Sequence, residues 1–169
     1  MGMSLAHTKR QGTKDWVGFQ VGTIDYALDI HRVREVVRPL PCMTLPHLPL
    51  GVSGVAEFRG RVIPVIDLRQ RFGVVDANPG QHGRWIVVPD GERLVALAVD
   101  RVTEVFGRQL ASPREMPAIM QSSDRAAIAS AYFYQGHLVF VVSVDDLIDV
   151  TRQLDVSVLQ LASREAQEP

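Results

Sequence analysis

The chain has 169 residues, 46% of them hydrophobic, and a formal net charge of −1. That length and apolar share suffice for one ordinary domain with a real core, or for two small lobes sharing one. A near-zero charge removes the electrostatic case for nucleic acid or an anionic membrane surface, and the single cysteine, Cys42, excludes an internal disulfide and fits a reducing compartment.

Residues 1–14 read as a polar, aperiodic tail without the apolar core of a signal peptide. No later stretch approaches the roughly 20 apolar residues that span a bilayer, so a soluble cytoplasmic protein without membrane insertion is expected. Trp16 to Val21 and Asp25 to Ile30 read as paired strands across Gly22-Thr23-Ile24-Asp25. His31 to Arg38 fits either helical spacing or a third strand after a local irregularity; its β-branched content favours the strand. Pro39, Pro41, Pro46 and Pro49 then exclude a regular element from Arg38 to Gly51.

The next stretch, GVAEFRGRVIPVIDLRQRFG from Gly54 to Gly73, organises the rest. Two apolar runs, Val55 to Phe58 and Val62 to Leu68, flank Arg59-Gly60, which is a two-residue hairpin signal. The second run is apolar on both pleat faces and should be buried on both. Pro64 withholds a ladder N–H, which suits a bulge or an edge on a strand bending around a small barrel. Asp67 followed by Gln70 has the form of a helix cap, and Gly73 that of a helix stop.

Residues 75–83 are turn chemistry throughout and mark a boundary between lobes. Trp85 to Val88 and Leu94 to Val99 form a hairpin around Asp90-Gly91, and Arg101 to Phe106 continues as strand. Gly107 to Ala126, with Pro113 and Pro117, reads as a long excursion. Ala127 to Tyr134 and His137 to Ser143 make a further hairpin across Gln135-Gly136, and Ser143 to Asp146 opens a short helix. Val156 to Ala166 has the spacing of an amphipathic terminal helix.

The chain repeats itself. The segment from Tyr26 to Val37 lines up with that from Val95 to Phe106, and Arg59-Gly60 falls on Gln135-Gly136. Two similar units, each too small to bury its own sheet, pack on a shared core. The expected fold is mainly β: two five-stranded barrel lobes side by side, one over about residues 16–74 and the other over about 84–149, within a domain spanning 15–150. A short helix follows the second hairpin of each lobe, and residues 151–169 form a terminal helix or tail. The copies differ at the tip, where only the first carries a charge, Arg59. A surface arginine is usually a solvating charge, but packing does not require it in one copy alone.

Reactive constellations are not apparent. His7, His31, His47, His82 and His137 are scattered, with no second ligand at metal spacing. Ser53 lacks the frame of a nucleophile elbow, and Cys42 sits in a proline-rich loop with no nearby basic group except Arg38. No cofactor, metal or enzymatic activity is expected. The rival classes are a hydrolase using Cys42 or Ser53, and a β-barrel nucleic-acid binder, which would need the aromatic and basic groove that this composition lacks.

The text GV-x-x-F-RG-x-VIPVIDLR-x-RFG closely resembles the signature of CheW-like coupling proteins of bacterial chemotaxis, and FQVGTIDYALDIHRVREVV resembles that family's opening segment. The likeness runs from about Phe19 to Ile148. Glu57 departs from it, standing where the family usually has a neutral polar residue. The resemblance implies the double-barrel fold and an adaptor that bridges the cytoplasmic tip of methyl-accepting chemoreceptors to the regulatory domain of a CheA-type histidine kinase in membrane-associated arrays. Matched residue by residue, Val33, Glu35, Val36, Arg59 and Gly60 fall in the regions of kinase and receptor contact. Their repeat-mates Val102 and Val105 should line a groove between the lobes; the valines fit plain core packing equally well. A related output through gliding, pilus or another non-flagellar pathway fits the same residues.

Overall fold

The computed structural model describes residues 15–74, 83–120 and 127–156. The terminal helix expected beyond Val156 therefore lies outside the described residues. The first hairpin is β1 (Trp16–Val21) with β2 (Ile24–Asp29). Asp29 then caps a single 3-10 turn, Ile30–Arg32, by accepting the His31 N–H at 2.8 Å. This turn is the irregularity expected after β2, and it leaves only Glu35–Val37 for β3. The proline-rich loop yields one two-residue strand that periodicity does not reveal, β4 (Cys42–Met43), which pairs with Ala56 and Val55.

The organising stretch forms β5 (Val52–Phe58), β6 (Arg61–Asp67) and helix α1 (Leu68–Arg71). Arg59 and Gly60 have φ of 50° and 76°, and their counterparts Gln135 and Gly136 have 46° and 88°. Positive φ at both central residues is the I′ turn, whose twist matches that of paired strands. Asp67 accepts the Arg69 N–H at 2.9 Å, and Gly73, at φ 71°, takes the left-handed stop. Pro64 lies opposite Val55, one residue before β6 begins its other pairing, so it sits inside the strand. The bulge is across the hairpin, between Val52 and Gly54.

The remaining elements are β7 (Arg84–Asp90), β8 (Arg93–Val99), β9 (Arg101–Phe106), β10 (Ser112–Arg114), β11 (Ile128–Tyr134), β12 (His137–Val142) and α2 (Val144–Ile148). One sheet has the order β10-β11-β12-β2-β1-β9, and the other β4-β5-β6-β8-β7-β3. The mainly β, two-unit architecture is therefore present, with six strands in each sheet where five were expected.

The division of the chain between the sheets differs from the division into lobes at residues 75–83. The hairpin β7-β8 does not open the second unit; it completes the first, where β8 runs parallel to β6 with Ile66 opposite Leu97. Reciprocally, β1-β2 completes the second, where β12 runs parallel to β2 with Phe140 opposite Tyr26. The two orders superpose element for element under the repeat, so the halves have exchanged their opening hairpins. Trp16 and Trp85 open the exchanged hairpins, facing Phe106 and Val37 respectively.

Exchange explains the double burial of β6 and β8. Ile63, Val65, Leu94 and Ala96 fill a core of their own sheet with Trp85 and Phe58. Ile66, Leu68, Val95, Leu97 and Val99 turn the other way, into a core shared with Val17, Phe19, Val21 and Leu28. Trp16, Phe106, Tyr132, Tyr134 and Val139 make the third cluster, inside the second sheet. Each fully buried aliphatic side chain of this kind contributes about 1.5–3 kcal/mol.

Two bidentate ion pairs tie each short helix to the other half of the chain. Arg69 of α1 holds Asp100, in the β8-β9 connection, with Nε–Oδ1 2.5 Å and Nη2–Oδ2 2.7 Å. Asp100 also accepts the Gly22 N–H at 2.6 Å. Asp145 of α2 is held by Arg32 through two bonds of 2.9 and 3.0 Å.

Two outcomes follow from these contacts. A Cβ added at Gly54 would lie 2.1 Å from the Met43 carbonyl oxygen, so Gly54→Ala should push β4 from the sheet and cost about 1–3 kcal/mol in denaturant unfolding. The Arg32 hydrogen bonds, and then its charge, hold the Asp145 carboxyl below its usual range. A depressed acid stabilises above its unfolded pKa and loses that contribution as pH falls through the folded one. Acid unfolding of Asp145→Asn should therefore lack one component below about pH 4, the ordinary carboxylate value, while stability near neutrality drops modestly.

Candidate partner-binding surface

Glu35, Val36, Arg59 and Gly60 belong to one sheet but to distant strands, since β3 is an edge strand and the Arg59-Gly60 turn joins β5 to β6. Curling of the sheet brings the tip to the edge strand: Arg59 Nη2 donates to Glu35 Oε1 at 2.6 Å, while Val36 lies on the other face of β3. The guanidinium also lies 5.3 Å from the centroid of the Phe58 ring, within cation–π range. Its side chain remains 68% exposed, so the pair is solvated and the charge is available at the surface. Val36, on the same edge strand, is 39% exposed, against the usual burial of valine.

The other sheet repeats the tie with different chemistry. Glu104 is the repeat-mate of Glu35, and it accepts a hydrogen bond from the Tyr134 hydroxyl at 3.2 Å. Tyr134 is the mate of Phe58, so an uncharged group does the work that the first lobe gives to its arginine. Burial, and then the bond to Glu104, push the Tyr134 hydroxyl pKa up. Tyr134 also stacks on Phe106 at 4.1 Å. The recurrence of glutamate at the same place in both copies was the available sequence signal for these ties. Which residue would answer each glutamate depends on sheet curvature, which one strand does not encode.

Among the valines the structure makes a distinction. Val33 and its mate Val102 are half-buried and pack on the shared core. Val36 and its mate Val105 stand exposed on β3 and β9. Val102 and Val105 belong to the second sheet, away from the Glu35–Arg59 tie in the first. A hollow of about 410 Å³ is lined by their neighbours Arg101, Thr103 and Glu104, with Gly18, Asp25 and His137, and by neither valine. Glu57 is exposed on β5 opposite Val62, while the ion pair of Arg59 goes to Glu35.

Cys42 lies on β4 at the edge of the sheet, and on β5 the Ser53 hydroxyl donates to the Val65 carbonyl at 3.3 Å. Burial pushes the Cys42 thiol pKa up and outweighs the opposing effect of the Ser53 hydroxyl, which is the reverse of thiolate activation. Among the described residues, no group of three or more His, Cys, Asp or Glu side chains could hold a metal ion, and no helix is long and apolar enough to cross a membrane.

The sequence model of the CheW-like domain matches residues 15–152. The chain belongs to the CheW-like family. It is 28% identical over 136 residues to the chemotaxis protein CheW of Rhizobium meliloti (strain 1021), covering 80% of this chain and 88% of that protein. Protein PilI of Pseudomonas aeruginosa is 30% identical over 103 residues, covering 60% of this chain and 56% of PilI. The crystal structure of the scaffolding protein TtCheW from Thermoanaerobacter tengcongensis superposes with a TM-score of 0.69 at 28% identity, covering 80% of this chain and 92% of that one. The chain is thus a CheW-like scaffold of chemotactic signalling with the two-lobe β fold of that family.

The ion pair permits a direct energetic measurement. Both side chains reach solvent, so a double-mutant cycle of Glu35→Gln and Arg59→Met should give a coupling of only about 0.2–1 kcal/mol in urea unfolding. A coupling several times larger would make the pair a structural clamp.

Proposed function

We propose that this chain is a connector without chemistry of its own, holding the regulatory domain of a CheA-type histidine kinase against the cytoplasmic tip of methyl-accepting chemoreceptors. It is recruited to membrane-associated arrays through those proteins, and it needs no nucleic acid, cofactor or membrane insertion. The observation that carries this reading is the solvent-reaching Glu35–Arg59 pair at the Arg59-Gly60 tip, with Val36 exposed on the opposite face of the same edge strand, a combination that one lobe alone carries. A solvated charge pair and an exposed valine on the two faces of one edge strand offer a polar and an apolar contact to partners that meet that edge. The mate positions in the other lobe carry Glu104, Val105 and Gln135. Val105 therefore presents an apolar contact without the arginine, and a second partner would meet a different surface there. Val33 and Val102 support these two patches from the side of the shared core. Receptor state then biases the kinase through differential affinity between the two contacts.

A second reading places the same connector in a pilus or gliding pathway; the similarity to PilI favours it. The partner classes remain a receptor and a histidine kinase, and the output differs.

Co-sedimentation with receptor signalling fragments and kinase, read out as kinase activation, tests the proposal. Arg59→Ala should leave the melting temperature within a few degrees of the parent, because exposed charges contribute about 0–1 kcal/mol, and should weaken binding of kinase or receptor. Glu35→Lys should do the same through like-charge repulsion at Arg59. Normal binding by both variants would remove these residues from the interface, and failure of the parent chain to bind either fragment would end the proposal.

A further inference from the structure

We propose that the hollow of about 410 Å³ in the second sheet is a binding site for a small zwitterion, a molecule that carries an ammonium and a carboxylate a few ångströms apart as a free amino acid does. Its origin is visible in the repeat. The buried residues of the first sheet's own core have apolar mates in the core of the second, Trp85 with Trp16, Phe58 with Tyr134 and Ile63 with Val139 among them, except at two places. Val87 and Leu94, both buried, have Gly18 and Asp25 as their mates, and both of those line the hollow. The loss is not made good there: Tyr132, the larger mate of Ala56, packs on Trp16 with ring centroids 4.6 Å apart, and neither residue lines the hollow.

The space is shaped as well as emptied. Pairing of β1 with β9 slips by one residue between Val17 and Phe19, so that Thr103 and Glu104 both stand against Gly18. Such a bulge re-aims side chains, and here both residues line the hollow. Glycine leaves room for this, since a Cβ at position 18 would lie 2.6 Å from Thr103 Oγ1. The corresponding pairing of β3 with β7 runs without a shift, with Glu35 opposite Val87.

Pleat alternation puts Asp25 and His137 on the strand faces that carry Ala27 and Val139 into the core, so polar groups hold core positions at this end. Asp25 Oδ1 accepts a bond from the Gln20 side-chain amide at 2.9 Å, and Glu104 Oε2 accepts the Tyr134 hydroxyl at 3.2 Å. Both donors are neutral, and the other oxygen of each carboxylate has no partner among the described residues. Arg101, opposite Gln20 on β9, lines the same hollow and pairs with neither acid. Opposite charges that share a hollow without neutralising one another match a guest that bears both. Its ammonium meets Asp25 and Glu104, and its carboxylate meets Arg101 and the His137 ring, with charge-assisted bonds on both sides. Tyr26, Phe106 and Val139 back the space with apolar surface, and its volume falls in the range of about 300–1,000 Å³ usual for ligand pockets.

Heteronuclear NMR of the full chain tests this with glycine, β-alanine, acetate and methylammonium at equal ionic strength. Glycine or β-alanine, which hold their charges at different separations, should shift the amides of Gly18, Asp25 and Thr103 and bind roughly tenfold more tightly than acetate or methylammonium, each of which offers one charge only. Arg101→Gln should weaken the tighter zwitterion roughly tenfold without weakening methylammonium, and Asp25→Asn should weaken it by about as much without weakening acetate. Asp25→Leu, which places the first sheet's residue here, should abolish binding with the melting temperature not lowered. Should that variant fail to fold, Arg101→Gln and Asp25→Asn still decide. A zwitterion that binds no more tightly than acetate and methylammonium, or whose affinity neither variant changes, would overturn the site. A silent titration would overturn it too, and perturbation of the same amides by a receptor fragment or a kinase regulatory domain instead would make the hollow a socket for a partner's side chain.

Discussion

Parallel pairing of β6 with β8, and of β12 with β2, is the constraint on which the rest of the molecule depends. Neither half of the chain can finish its sheet from its own residues, because each lacks the hairpin that the other supplies. A parallel pair needs a long crossover; here β2 reaches β12 only after the chain has built the whole of the other sheet, and β6 reaches β8 by way of α1 and β7. The shared core is the result: Phe19, Leu28, Ile66, Leu68 and Leu97 are fully buried against one another from both halves. Cooperative unfolding of the whole is the physical corollary, since removing one hairpin strips one sheet of two inner strands and the shared core of that hairpin's apolar side chains.

Duplication with exchange gives two similar lobes, and the copies have since become unlike. Divergence is concentrated where it costs the fold least, at the hairpin tips. Each tip must be fastened to the edge strand that curls toward it, and a glutamate waits there in both copies. In one lobe Tyr134 answers it with a half-buried hydroxyl; in the other Arg59 answers it with a solvated charge lying over Phe58. An arginine is not needed for that fastening, as the tyrosine shows. Its presence gives the first lobe a donor with several free N–H groups at the surface, which suits selection among partners more than stability.

Local chemistry made much of this legible and topology did not. The turns at Arg59-Gly60 and Gln135-Gly136 could be placed because two-residue loops leave few backbone options, and the cap at Asp67 because the carboxylate, the following turn and Gly73 occur in order. The apolar faces of β6 told correctly of burial on both sides. What they could not tell was who buries them, since a pleat period carries no name of a partner strand. For the same reason the repeat announced two units but not the exchange, and the turn-rich stretch at residues 75–83 looked like a lobe boundary. The matching Trp16 and Trp85 were the sign that the two opening hairpins are equivalent. β4 escaped because two residues among prolines have no periodicity at all. The Glu35–Arg59 contact escaped because it spans 24 residues and closes only when the sheet bends.

Energies separate fastening from recognition. Fully buried side chains at about 1.5–3 kcal/mol each dwarf an exposed ion pair worth about 0–1 kcal/mol, so the fold does not rest on Arg59 or Glu35. A pair that adds little to stability and yet keeps two long side chains ordered at an exposed edge is inexpensive to break. That is the property a contact surface needs, because a partner carboxylate or guanidinium can replace one member without a penalty to the core. Arg69–Asp100 is the opposite case: with both ends mostly buried, loss of either would strand a charge. The chain therefore keeps its tight polar contacts at the joint between lobes and its replaceable ones at the rim.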